Sequence, residues 1–129
     1  MAKRILIDTC GWIDFLRSRD GVLGDYVSLA IEREQAVLCG VVIAELLQGT
    51  KGKKEQSQLD FLFSNIEIVP TDESCWQTAG IMLQQQRVQG ITIPLTDGLI
   101  AAIANNQDIP ILTIDKHFEY LPVKRVELS

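Results

Sequence analysis

Four carboxylates lie against apolar sequence, where a lone charge is unfavourable. Asp8 ends the run Ile5-Leu6-Ile7 in RILIDTCGWIDFL, and Asp115 ends Ile111 to Ile114 in ILTIDKHF. Asp97 opens DGLIAAIA, and Glu45 sits inside VVIAELL with no charged neighbour for several residues on either side. Two carboxylates about 4 Å apart repel by roughly 4 kcal/mol at an effective dielectric near 20. Four brought together must hold a cation or stay partly protonated. Donor sets made of oxygen alone favour Mg²⁺ or Mn²⁺ over zinc. Magnesium keeps several waters and takes one or two carboxylates directly, so the others would hold outer water or a second ion. Such an ion can generate a hydroxide-like nucleophile and stabilise a pentavalent phosphate. No serine–histidine pair is evident, which makes metal-assisted hydrolysis the simplest chemistry on offer. The single histidine, His117, is read as surface or structural.

Each aspartate also has a plainer use. An aspartate between a strand and a helix often caps the helix, accepting from a free backbone N–H. Thr96 competes for that role beside Asp97. Glu45 lacks this alternative. It is placed mid-helix among Val41, Val42, Ile43, Ala44, Leu46 and Leu47, and a helix apolar on nearly all sides is a buried one. A buried lone glutamate needs an arginine, a backbone group or an ion, because an unpaired buried charge costs several kcal/mol.

The elements that must position these acids follow from hydrophobic period. Strands are expected over residues 3–7, 36–39, 66–69, 111–114 and 124–128. Helices are expected over 11–18, 22–34, 41–48, 54–64, 72–89 and 97–107, with Gly49 and Gly90 as stop signals. Strands alternating with helices give an α/β domain with a largely parallel sheet. The first and fourth strands are the most continuously apolar, which places them centrally and gives the order 3-2-1-4-5. Ligands in such sheets bind at the carboxyl ends of the strands where the order reverses. Asp8 and Asp115 stand at those two ends.

The length of 129 residues suits one domain, residues 1–129, with a core of its own. No apolar run reaches the roughly 18 residues of a membrane span. MAKRILID lacks the apolar stretch and cleavage site of a signal peptide, so a cytoplasmic protein is expected. Cys10, Cys39 and Cys75 are odd in number and widely spaced, which disfavours a zinc site or disulfide framework and leaves small core hydrophobes. The net charge of −5 argues against a nucleic-acid partner unless bound cations offset the acids.

These residues resemble a family. LIDTCGWIDFL, VVIAELLQG, PLTDGLIAAIA and LTIDKHF occur in the order and spacing of PIN-domain ribonucleases, and the length and ending are similar to the VapC-type toxins of toxin–antitoxin pairs. The resemblance covers essentially the whole chain. It implies a five-stranded parallel sheet flanked by helices and a Mg²⁺- or Mn²⁺-dependent endoribonuclease. It further implies a homodimer held inactive by a small VapB-like antitoxin. Carried over by position, Asp8, Glu45, Asp97 and Asp115 form the acidic quartet. Asp8 and Asp97 would be direct ligands, with Glu45 and Asp115 acting through water or a second ion. Cys10 stands where many relatives have serine, with Thr9 as a substitute hydroxyl. His117 stands where many have an aspartate.

RNA phosphates would meet Lys51, Lys53 and Lys54 after the Glu45 helix, and Arg17 and Arg19 after the Asp8 helix. Trp12 and Trp76 could stack on bases, but core packing is the reading preferred for both. No P-loop or dinucleotide-binding glycine motif occurs. The rival from another class is a catalytically silent acidic binding module whose aspartates only cap helices.

Overall fold

The structure, a computed structural model, describes residues 3–18 and 21–128. Four parallel strands are ordered β3-β2-β1-β4, with β1 Ile5–Ile7, β2 Ala36–Cys39, β3 Glu67–Val69 and β4 Ile111–Leu112. Helices α1 (Thr9–Arg17), α2 (Val22–Glu32), α3 (Gly40–Gln48), α4 (Gly52–Asn65), α5 (Glu73–Val88) and α6 (Leu95–Gln107) connect and flank them. A 3-10 helix, Lys116–Tyr120, follows β4 and had no counterpart in the sequence reading.

The expected adjacency of β1 and β4 is present, but β4 ends the four-stranded sheet and is not central as expected. Leu6 pairs with Val37 on one side and with Ile111 on the other. Leu6, Ile7, Leu38 and Ile111 are wholly buried, as strands covered on both faces require. At the outer edge β3 is mostly exposed, and Arg4 reaches across to Glu67 at 2.9 Å.

The fifth strand shrinks to one bridge. Ile111 N–H donates to Lys124 O and Val126 N–H donates to Ile111 O, both at 2.9 Å, and Arg125 pairs with Ile111 alone. The cause is β4, which is two residues long. Beyond Leu112 the chain leaves the sheet, with Thr113 bonded to Asp8, and residues 127–128 have no strand left to pair with.

The buried helix is α6, not α3. Every residue from Asp97 to Ala104 is buried. In α3 only Val42 and Leu46 are buried, while Ala44 and Leu47 are exposed, so Glu45 is half-buried. Close packing of α6 on α5 depends on Gly98, where an added Cβ would lie 2.9 Å from Leu83. Gly90 stops α5 as expected, at a φ of +85° that side-chain-bearing residues resist. Trp12 is wholly buried and packs edge-on to Phe15. Trp76 departs from its expected core position and is 54% exposed. Cys39 and Cys75 are buried as expected, and Cys10 is half-buried.

Candidate metal centre

Asp8 is brought to the site by β1. Its backbone N–H donates to Leu112 O at 3.0 Å, which fixes the carboxyl ends of β1 and β4 against each other. The side chain caps α1, with Oδ1 accepting from Thr9 N–H at 2.8 Å. Its other oxygen, Oδ2, accepts from the Thr113 hydroxyl at 2.8 Å. Capping and convergence are therefore not alternatives at this residue. The carboxyl is 5% exposed, and burial pushes its proton affinity up despite the hydrogen bonds from Thr113 and Thr9.

Asp97 is no cap. Helix α6 begins at Leu95, two residues earlier than the sequence suggested, and Asp97 N–H already bonds Pro94 O at 3.1 Å. The side chain is thus free to face the other acids. Burial first, then the charges of Asp115 and Asp8, raise its pKa to about 7, with His117 pulling the other way. Asp115 arrives on the loop after β4 and caps the 3-10 helix, its Oδ1 accepting from His117 N–H at 2.9 Å. Donor atoms of Asp97, Asp115 and His117 all lie within 4.8 Å of one another.

Glu45 stands slightly apart. Its Oε1 accepts from the Thr9 hydroxyl at 2.7 Å, and Thr9 directly follows Asp8. The threonine therefore couples the two acids, while the Cys10 thiol lies 3.6 Å from both Asp8 Oδ2 and the Thr113 hydroxyl. Burial pushes that thiol's pKa up, leaving it a neutral hydrogen-bonding group.

Sequence reasoning missed two contributors. Thr113 donates to Asp8 and accepts from Asp115 N–H at 3.0 Å, so one hydroxyl sets the spacing of two acids. Its signal was a polar residue interrupting the apolar run two positions before Asp115. Thr113→Val is expected to cost about 1–3 kcal/mol, since it leaves Asp8 Oδ2 with only the weak Cys10 thiol and the Asp115 amide without its acceptor. Urea denaturation would measure it, and an unchanged midpoint would count against the role. His117, read as surface or structural, presents its Nδ1 to two of the acids.

The basic residues are less uniform than expected. Lys51, Lys53 and Lys54 are exposed at the start of α4. The Arg17 guanidinium is engaged with Glu55 at 2.7 and 3.1 Å and with Gly49 O at 2.9 Å. Arg19 lies outside the described residues. Exposed Trp76 is near the wrong end of the molecule for this site. Asp72, which starts its helix, meets Asn106 at the far end of α6 from Asp97, about 13 Å along the axis at 1.5 Å per residue.

The sequence that folds into this 3-2-1-4 sheet matches one family model. The model, described as PIN domain, aligns with residues 5–124. The chain belongs to the PIN domain family. This PIN domain is 25% identical over 121 residues to Ribonuclease VapC11 of Mycobacterium tuberculosis, covering 91% of this chain and 90% of the relative. The fold is similar to that of VapBC2 from Rickettsia felis bound to a promoter DNA fragment. That match has a TM-score of 0.78 at 21% identity and covers 95% of this chain and 96% of the other. It is also similar to DNA-bound VapBC from Salmonella typhimurium, with a TM-score of 0.80 at 17% identity and 98% of each chain covered. Among the described residues, no helix of the PIN domain is long and apolar enough to cross a membrane.

Proposed function

We propose that this PIN domain is a metal-dependent endoribonuclease, the toxin of a VapBC-type pair, which hydrolyses RNA phosphodiester bonds with water. One observation carries the reading: Asp97, which caps nothing, is buried beside Asp115 and Asp8, and burial first, then their charges, raise its pKa to about 7. The silent-module rival accounts for Asp8 and Asp115, which do cap helices, but leaves Asp97 without a purpose. The donor set fits a divalent ion, since buried oxygens that repel one another are relieved by a cation.

Asp97 would be the central ligand in this reading, since the charges of both Asp115 and Asp8 reach it. When bound, Mg²⁺ or Mn²⁺ supplies positive charge at the phosphate and acidifies a water for attack. Thr113 and Thr9 N–H hold Asp8 in one orientation. Glu45, with Oε1 taken by Thr9, has its other oxygen to orient water or a second ion. Exposed Lys51, Lys53 and Lys54 contact phosphates and set the position of the strand without choosing sequence. Single-stranded loops, whose bases can be splayed out, suit such a site best. The Arg17 guanidinium, already engaged within the fold, is dropped from the RNA contacts.

Purified chain freed of any partner is expected to cut RNA with Mg²⁺ or Mn²⁺ and to stop with chelator. Equal cutting by wild type and the Asp8→Asn, Asp97→Asn double variant would refute the mechanism. The likeness to VapBC toxin–antitoxin structures also supports an antitoxin partner. Co-purification with the product of an adjacent reading frame tests the partner, and size-exclusion chromatography tests the homodimer.

A further inference from the structure

His117 Nδ1 lies 2.8 Å from Asp115 Oδ1 and 3.1 Å from Asp97 Oδ2. Both are hydrogen-bond lengths, yet the nitrogen is buried and makes an aligned hydrogen bond to neither. The rest of the ring is not sealed in, and the side chain as a whole is 43% exposed. A solvent-facing imidazole could turn its nitrogen toward water. Here it turns it inward, to a point where two carboxylate oxygens also converge. The backbone helps to hold it there, because His117 N–H is anchored on Asp115 and Phe118, the next residue, is wholly buried.

We infer that His117 is a nitrogen ligand of the metal centre, completing a mixed set with Asp97 and Asp115 that selects Mn²⁺ over Mg²⁺. This rests on the metal-dependent reading above and narrows it. Magnesium is a hard ion bound by oxygen and slow to give up water, so a nitrogen donor disfavours it relative to the first-row divalent series, of which Mn²⁺ is the member that also suits carboxylates. Two carboxylates alone leave the choice of ion open. The nitrogen tips it toward the transition metal.

The chain holds one histidine, so an imidazole signal from bound Mn²⁺ can arise from His117 alone, provided the purification tag contains no histidine. The experiment uses the full chain at neutral pH. Mn²⁺ and Mg²⁺ are titrated separately by calorimetry, and the Mn²⁺ complex is examined by pulsed electron paramagnetic resonance for coupled nitrogen. Wild type is expected to show directly coordinated ¹⁴N. His117→Ala is expected to lose that coupling and about tenfold or more in Mn²⁺ affinity, with Mg²⁺ affinity changed by no more than about twofold. His117→Asp, which rebuilds an all-oxygen set, should restore binding while losing the preference for Mn²⁺. Tight Mn²⁺ binding without nitrogen coupling, or tighter binding by His117→Ala, would overturn the ligand role and leave the metal centre standing. Failure of wild type to bind either ion would overturn both.

Discussion

Replacing Asp97 by asparagine is expected to cut RNA hydrolysis by about a thousandfold while making the metal-free chain more stable. The loss follows from removing the central carboxylate of the site, since metal chemistry at a phosphate supplies several kcal/mol and each 1.36 kcal/mol is tenfold in rate. The gain follows from the environment. Burial and the charges of Asp115 and Asp8 all oppose ionisation of Asp97. A neutral amide of the same size removes that opposition. At pH 8 in chelator the Asp97→Asn melting temperature should rise by about 3–5 °C, the equivalent of roughly 1 kcal/mol for a chain of this size. A quench-flow or gel assay of RNA cleavage and a thermal melt on the same preparation test both halves. Lower stability in the variant would mean that Asp97 is a structural partner and not a residue held in readiness for a cation.

The second large effect is a pH profile that metal inverts. Asp97 has an ordinary carboxyl value of 3.8 when unfolded and about 7 when folded. Between these values the folded chain binds more protons than the unfolded one, so the free energy of unfolding falls as pH rises. Burial pushes Asp8 in the same direction. In chelator the melting temperature should therefore decline from about pH 4 to about pH 7 and level off above. A divalent ion at about 100 times its dissociation constant adds about 2.7 kcal/mol, or about 10 °C here. The gain should be largest at pH 8, where the carboxylates are ionised, and should shrink toward pH 5 as protons compete. A chelated profile flat across this range would show that the acids do not share one field.

The fold was legible wherever hydrophobic period was strong. The run at Ile5-Leu6-Ile7 and that at Ile111-Leu112 gave two buried strands and their adjacency, because continuous apolar sequence marks strands covered on both faces, though β4 proved to end the sheet. The same pattern misled at VVIAELL. An apolar stretch there looked like a buried helix, yet Ala44 and Leu47 are exposed, and periodicity alone does not say how much of a helix its neighbours cover. The fifth strand failed for a related reason. Lys124 to Leu128 has strand composition, but pairing needs a partner, and β4 ends after two residues. Three of the four acids converge as read from their contexts. The bonds that link the acids, from Thr9 to Glu45 and from Thr113 to Asp8, span 36 and 105 residues, and no local pattern pairs residues so far apart. His117 was read as surface or structural and is partly exposed, but the inward turn of its Nδ1 has no signature, because an isolated histidine carries no directional information in sequence.

Arg17 does something that its charge alone would not suggest. By gripping Glu55 and the carbonyl of Gly49, it pins the end of α3 to the start of α4 and so sets where Glu45 can stand. This clamp sits at the surface, where dissolved ions weaken it, whereas the hydroxyl that unites Asp8 with Asp115 lies in the interior beyond their reach. The two halves of the quartet should therefore respond differently to ionic strength, with the Glu45 arm loosening first and the aspartates keeping their arrangement.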